Sequence, residues 1–150
     1  MRTVDRNAAR VLLVDAAHRV LLLRWVHAGA PERGSWWITP GGGLDDGEAY
    51  LDGAVRELFE ETGLRLAATD LSGPVFERDT DTEIDGMRYR QHEVFFLGRV
   101  GAHVVDTTGF TDLEVASITD HRWWTLPELE RTDERISPRE LPDLLRAVAC

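Results

Sequence analysis

The chain has 150 residues, 43% of them hydrophobic and 29% charged, which is enough for one domain with its own core and no disulfide or structural-metal staples. All 17 basic residues are arginine, so lysine chemistry is excluded and every cation carries the planar fork suited to phosphate or carboxylate. A formal net charge of −10 argues against a long nucleic-acid backbone as partner, because a polyanion needs a basic footprint; a small anionic ligand stays open if bound cations mask the acid locally.

The first ten residues contain Arg2, Asp5, Arg6 and Arg10 but no apolar stretch of signal-peptide length, and only the first few are expected to lie outside folded structure. Val11–Val14 and Val20–Leu23 predict two buried strands joined as a hairpin through Ala16–Arg19, the second far too short to span a bilayer. Gly29, Pro31 and Gly34 mark a loop over 27–35, followed by a short strand at Trp36–Ile38 and a glycine-rich turn at Gly41–Gly43. From about Glu48 to Thr62 the period becomes helical, with Leu51, Val55, Leu58 and Thr62 on one side and Gly63 placed as a left-handed cap. Val75–Arg78 and Tyr89–Val100 predict strands, with Asp85-Gly86 as a hairpin signal between them. A loop with one helical turn is expected over 106–120, a last strand at Arg122–Trp124, a short helix opening at Pro127, and a terminal helix over Leu141–Val148. Strands around a central helix with a second helix closing the chain imply an α/β fold, a mixed sheet between helices, in one domain over 1–150. The single cysteine, Cys150, forbids an intrachain disulfide, and a cytoplasmic setting is expected.

On the central helix Glu57, Glu60 and Glu61 fall within an arc of about 100°, apart from the apolar side. Like charges at these spacings cost a few tenths of a kcal/mol per pair, and Gly53 within the same arc costs roughly 1 kcal/mol more. Divalent cations seated over this face would account for both costs, with Gly53 leaving room for them or for substrate. A solvated acidic face is the bland alternative and would be favoured for a lone Glu-Leu-x-Glu-Glu string. Here Arg56 stands beside the first glutamate, Gly63 ends the helix and a glycine-rich segment precedes it. Oxygen ligands without Cys or His spacing select hard cations, magnesium or manganese, over zinc.

Gly42, Glu48, Arg56, Glu57, Leu58, Glu60, Glu61, Gly63 and Leu64 match the Nudix box, G-x5-E-x7-R-E-U-x-E-E-x-G-U with U aliphatic, at every defined position. Trp37-x-x-Pro40-Gly41-Gly42 before it and Arg122-Trp123-Trp124 after it carry weaker similarity, so the chain resembles the Nudix hydrolases over most of its length. The resemblance implies an alpha/beta/alpha sandwich that hydrolyses a nucleoside diphosphate linked to another group. It implies Glu57, Glu60, Glu61 and the Gly41 carbonyl as ligands of Mg2+ or Mn2+, with Arg56 and Glu48 holding the acidic helix. Ala49 departs from the Ser or Thr common at the helix start, costing about 1 kcal/mol but no ligand.

Such hydrolysis needs the substrate's oxygens neutralised and a water aligned opposite the leaving group. The general base in this family comes from the helix or from a loop before the last strand, so Glu60 and Glu114 are the candidates, with Glu93 and Glu83 behind them. Trp25 or Trp36 could stack on a base and Arg24, Arg88 or Arg90 could contact phosphate, whereas Trp37 and Trp124 are expected as packing residues. His27 and His92 are expected at the surface or in packing. Around Asp79–Asp81 the chain lacks the proline of many ADP-ribose hydrolases and the tyrosine of some dinucleoside polyphosphate enzymes, and the coenzyme A signature is also missing. The acidic stretch Asp79–Asp85 weakens a capped-RNA substrate. Nucleoside triphosphates, nucleotide sugars and dinucleoside polyphosphates stay open, with a lean to triphosphates, and a homodimer is left open. A catalytically silent nucleotide-sensing module is the rival, against which the intact carboxylate set speaks. A diphosphate isomerase would need a cysteine within the domain, where Cys150 does not sit.

Overall fold

Val11–Val14 and Val20–Leu23 form the buried parts of strands β1 (Arg2–Val14) and β2 (Val20–Val26) in a computed structural model that describes residues 2–84 and 86–148. The predicted hairpin exists only at its turn, where Val14 faces Val20; beyond that pair each strand takes other neighbours. Their apolar runs are continuous because both faces are covered. Ala9, Val11 and Leu13 point into one core, while Leu12 and Val14 point into the other.

Strand β3 (Ser35–Ile38) pairs antiparallel with β2 as Trp25↔Trp36. Gly41–Gly43, expected as a turn, is instead strand β4, antiparallel to β1 with Ala8↔Gly43 and Arg10↔Gly41. The need for glycine at 41 comes from close approach: φ is +150°, and a Cβ would lie 2.4 Å from the Ala9 carbonyl oxygen and 2.6 Å from Arg10 Cα.

Helix α1 (Tyr50–Thr62) ends as predicted at Gly63, whose φ of 75° turns its N–H onto the Phe59 carbonyl, while Ala49 supplies no side-chain cap. Ala54 and Leu58 are fully buried against residues of β1 and against Val94 and Phe96, whereas Leu51, expected on the buried stripe, is exposed. Gly53 has a different reason from the one expected. A Cβ there would sit 2.2 Å from Leu44 Cδ2 and 3.1 Å from Glu48 Oε1, so the glycine admits the loop before the helix, not a cation.

Strands β5 (Leu71–Ile84) and β6 (Met87–Arg99) form a long antiparallel hairpin closing at Ile84↔Met87; Asp85 itself lies outside the described residues. Strand β6 runs parallel to β1 from Arg2↔Met87 to Val14↔Arg99, which draws the first residues into the sheet instead of leaving them outside it. Helix α2 (Asp112–Ser117), strand β7 (Ile118–Trp124) and helix α3 (Leu126–Arg131) follow. Strand β7 starts earlier than expected and is not the last: β8 (Ile136–Ser137) lies parallel to β3 before helix α4 (Leu141–Val148).

The sheet order is β5-β6-β1-β2-β3-β8, with β4 on β1 and β7 on β2. Helix α1 covers one face, and α3 and α4 cover the other through Leu129, Leu141 and Leu145, which is the mixed sheet between helices. Trp37 and Trp124 pack in that second core as an edge-to-face pair 5.3 Å apart, the packing role predicted for them. Among the described residues no helix is long and apolar enough to cross a membrane, and Cys150 lies outside those residues.

Candidate active site

Among the described residues, strand β4 has β1 on one edge and no strand on the other. Side chains of helix α1 reach that open edge at two points: the Gly41 N–H donates to Glu61 Oε1 at 2.7 Å, and Arg56 Nη2 donates to the Gly43 carbonyl at 3.2 Å. A Cβ at Gly42 would come within 2.9 Å of Glu57 Oε1, so a strand of bare backbone is what lets the carboxylates approach.

Arg56 organises the acidic side of the helix. Its Nε and Nη2 both bind Glu48, each at 2.9 Å, and Nη1 reaches Glu57 at 3.1 Å and Glu60 at 3.2 Å. The fork matches a carboxylate bidentately, which a lysine could not do. Hydrogen bonding to Arg56 pulls Glu48 below the usual carboxylate range, and Glu48 in turn raises Arg56 above an ordinary guanidinium.

Among the described residues Glu57, Glu61 and Glu114 each offer a carboxylate oxygen within 4.8 Å of the others. Glu114 arrives from helix α2, whose capping box ties its Oε1 to the Thr111 N–H at 2.9 Å while Thr111 Oγ1 accepts the Glu114 N–H. Burial pushes the Glu57 carboxyl up to about 7, Arg56 opposing and Glu60 and Glu114 adding to the rise. Glu61, 3% exposed, is likewise raised well above the usual carboxylate range, by burial and then by Glu57 and Glu114, with the Gly41 N–H and Arg10 working the other way. Three converging acidic groups, to which Arg56 brings an ion pair at Glu57, are a set of hard oxygen donors that fits a divalent cation. Glu60, expected in that set, is half-buried beside it and engaged by Arg56.

The other expected residues are dispersed. Glu93, a candidate base, is 1% exposed and takes Arg10 Nε at 2.6 Å, Arg78 Nε at 2.5 Å and Gln91 Nε2 at 2.9 Å. Burial opposes its charge, but the two arginines outweigh it and hold Glu93 below the usual range, so it is ill-suited to accept a proton. Glu83 lies exposed near the tip of the β5–β6 hairpin, its carbonyl accepting Arg33 Nη2. Arg24 donates to the Thr119 hydroxyl, Arg90 pairs with Asp5 at 2.9 Å, and Arg88 pairs with Asp81. Trp25 contacts His27 and Trp36, and Arg135 stacks 3.7 Å over Trp36. His92 bridges Glu77 and Asp79 at the surface. The Arg10–Glu93–Arg78 network was not foreseeable from local sequence, because it spans β1, β5 and β6 and depends on the parallel β1–β6 register.

A similar sequence is a Nudix hydrolase of Bacillus subtilis (strain 168), 42% identical over 73 residues, 49% of this chain and 41% of that protein. An RNA pyrophosphohydrolase of Rhizobium meliloti (strain 1021) is 45% identical over 62 residues, 41% of this chain and 35% of that protein. The match thus spans less than half the length of either relative. Among solved structures, the MutT protein of Methanosarcina mazei Go1 superposes with a TM-score of 0.67 at 18% identity, covering 99% of this chain and 96% of that one, a likeness of fold. The NUDIX domain family model matches residues 4–145, and with the complete box set around the carboxylate cluster the chain belongs to the Nudix family.

Proposed function

We propose that this protein is a divalent-cation-dependent hydrolase that cleaves a phosphoanhydride in a nucleoside diphosphate linked to another group. The observation that carries the reading is the convergence of Glu57, Glu61 and Glu114 at the open edge of the glycine strand. With the Gly41 carbonyl they would hold Mg2+ or Mn2+. When bound, such a cation neutralises phosphate oxygens and makes water more acidic. Glu48 and Arg56 fix the height and tilt of the acidic helix face. Glu60, held at one end by Arg56 and half-buried, is the carboxylate left beside the cluster to accept a proton from the attacking water, with Glu114 the alternative if it leaves the ligand set. Both apolar cores share strands β1 and β2, which supports residues 1–150 working as one domain.

The substrate is a small nucleotide or a nucleotide-like end. The relative named an RNA pyrophosphohydrolase brings RNA into this class as a substrate to test; the net charge of −10 argues against extended backbone contacts, not against one terminus entering the site. Phosphate and pyrophosphate release is measured across nucleoside triphosphates, nucleotide sugars, dinucleoside polyphosphates and 5′-triphosphorylated oligonucleotides, with Mg2+ and with chelator. Turnover that needs Mg2+ and falls at least about a hundredfold in Glu61→Gln supports the reading. Nucleotide binding without turnover in any of these would replace it with a sensing role.

A further inference from the structure

We propose that Arg6 binds the terminal phosphate of a triphosphate chain and so selects triphosphate-ended substrates over nucleotide sugars, an inference that rests on the hydrolase reading above. Along β1, side chains two residues apart share a face, which puts Arg6 and Arg10 on the same side. Both lie against the glycine strand. A Cβ at Gly43 would come within 2.5 Å of Arg6 Nη2, and one at Gly41 within 2.6 Å of Arg10 Cγ, while Gly42 presents to Glu57 on the opposite side. Strand β4 is therefore a partition one residue thick and free of side chains, with arginines on one face and carboxylates on the other. Arg56 grips the same Gly43 residue through its carbonyl, so Arg6 stands just across β4 from the acidic helix.

The charges of this face are unevenly spent. Arg10 and Arg78 are locked onto Glu93, and on the other face of the hairpin Arg88 and Arg90 are paired with Asp81 and Asp5. Arg6 is exposed and has no hydrogen-bond or ion-pair partner among the described residues, in a chain carrying 27 acidic residues. The nearby carboxylates lie behind the β4 backbone, which keeps them from satisfying it. A polyphosphate lying over the open edge of β4 would place its inner phosphates toward Glu57, Glu61 and Glu114, and its outer phosphate within reach of the free guanidinium. A neutral sugar in place of that phosphate would leave Arg6 without a partner. The recognised group is the same on a free nucleotide and on an oligonucleotide 5′ end.

Steady-state kinetics of Arg6→Ala, Arg6→Lys and, as a control at an exposed arginine paired with Glu140, Arg139→Ala on GTP, a 5′-triphosphorylated oligonucleotide and UDP-glucose test this. Arg6→Ala is expected to raise KM for the two triphosphates by about ten- to a hundredfold with kcat within about threefold, as for loss of a hydrogen bond to a charged group. Arg6→Lys recovers part of the loss, and KM for UDP-glucose and all constants of Arg139→Ala stay at wild-type values. An effect on only one triphosphate substrate assigns the contact to that source. Unchanged KM for both, or an equal rise for UDP-glucose, overturns the proposal. Calorimetric binding of inorganic tripolyphosphate with Mg2+ reads the contact without turnover: weaker binding by Arg6→Ala sustains it even if no substrate is hydrolysed, and equal binding by wild type and Arg6→Ala refutes it.

Discussion

Raising the pH in the absence of divalent cations should destabilise the protein through Glu57, and the size follows from its burial. Its carboxyl sits at about 7 instead of the ordinary 4.5, raised first by desolvation and only partly relieved by Arg56. A group whose folded pKa lies above the unfolded one favours the folded state fully below about 4.5, and that advantage disappears as the pH climbs through 7. At about 1.4 kcal/mol per pKa step the total is roughly 3 kcal/mol, of which about 2 fall between pH 5.5 and 8.5. Glu61 adds in the same direction. For a chain of this length each kcal/mol moves Tm by about 2–4 °C, so a fall of roughly 4–8 °C is expected from Glu57 alone. Thermal melts in chelator across that range, on wild type and Glu57→Gln, read the effect of Glu57 together with its coupling to Glu61, the groups away from the cluster being common to both. Mg2+ added at pH 8.5 should restore wild type far more than the variant. A wild-type Tm that does not fall, or a variant that falls as steeply, would refute the claim that burial of this carboxylate outweighs its pairing with Arg56.

Three further outcomes follow from particular contacts. Glu93→Gln leaves Arg10 and Arg78 facing a neutral amide in a buried position, and urea unfolding should show a loss of about 3–5 kcal/mol; a loss under about 1 kcal/mol would mean the network is not desolvated. Gly53→Ala should destabilise despite the roughly 1 kcal/mol helix-propensity gain, because its Cβ meets Leu44, and the cost should shrink in a Leu44→Ala background; additivity of the two changes would show that they do not touch. Ala49→Ser supplies the missing helix cap and should add about 0.5–2 kcal/mol to stability with unchanged KM, whereas no gain would mean that another group already satisfies the first turn.

Helix α1 was legible in the sequence because all its signals agree: apolar period, carboxylate arc and a glycine placed for the left-handed cap. The Glu48–Arg56 clasp was equally legible, since the box fixes the spacing and the helix supplies the geometry. What local sequence could not show is pairing across the chain. The run Val11–Val14 next to Val20–Leu23 looks like a hairpin, yet the strands part after one pair, β1 going on to pair with β4 while β7 and β3 take β2. The same blindness hid the partners of Glu93 and the position of Arg6 over Gly43, both set by register. Gly41–Gly43 reads as a turn by composition, but its glycines answer to crowding from β1 and α1. Strand β8, two residues long, carries too little pattern to be seen.

The central claim is that the oxygens of Glu57, Glu61 and Glu114 bind the cation that hydrolysis requires. Anomalous diffraction from crystals soaked in Mn2+ tests it most directly: a peak bonded to all three carboxylates and the Gly41 carbonyl, lost in Glu61→Gln together with turnover, is the predicted result. Turnover persisting in chelator, with no peak between those side chains, would contradict it.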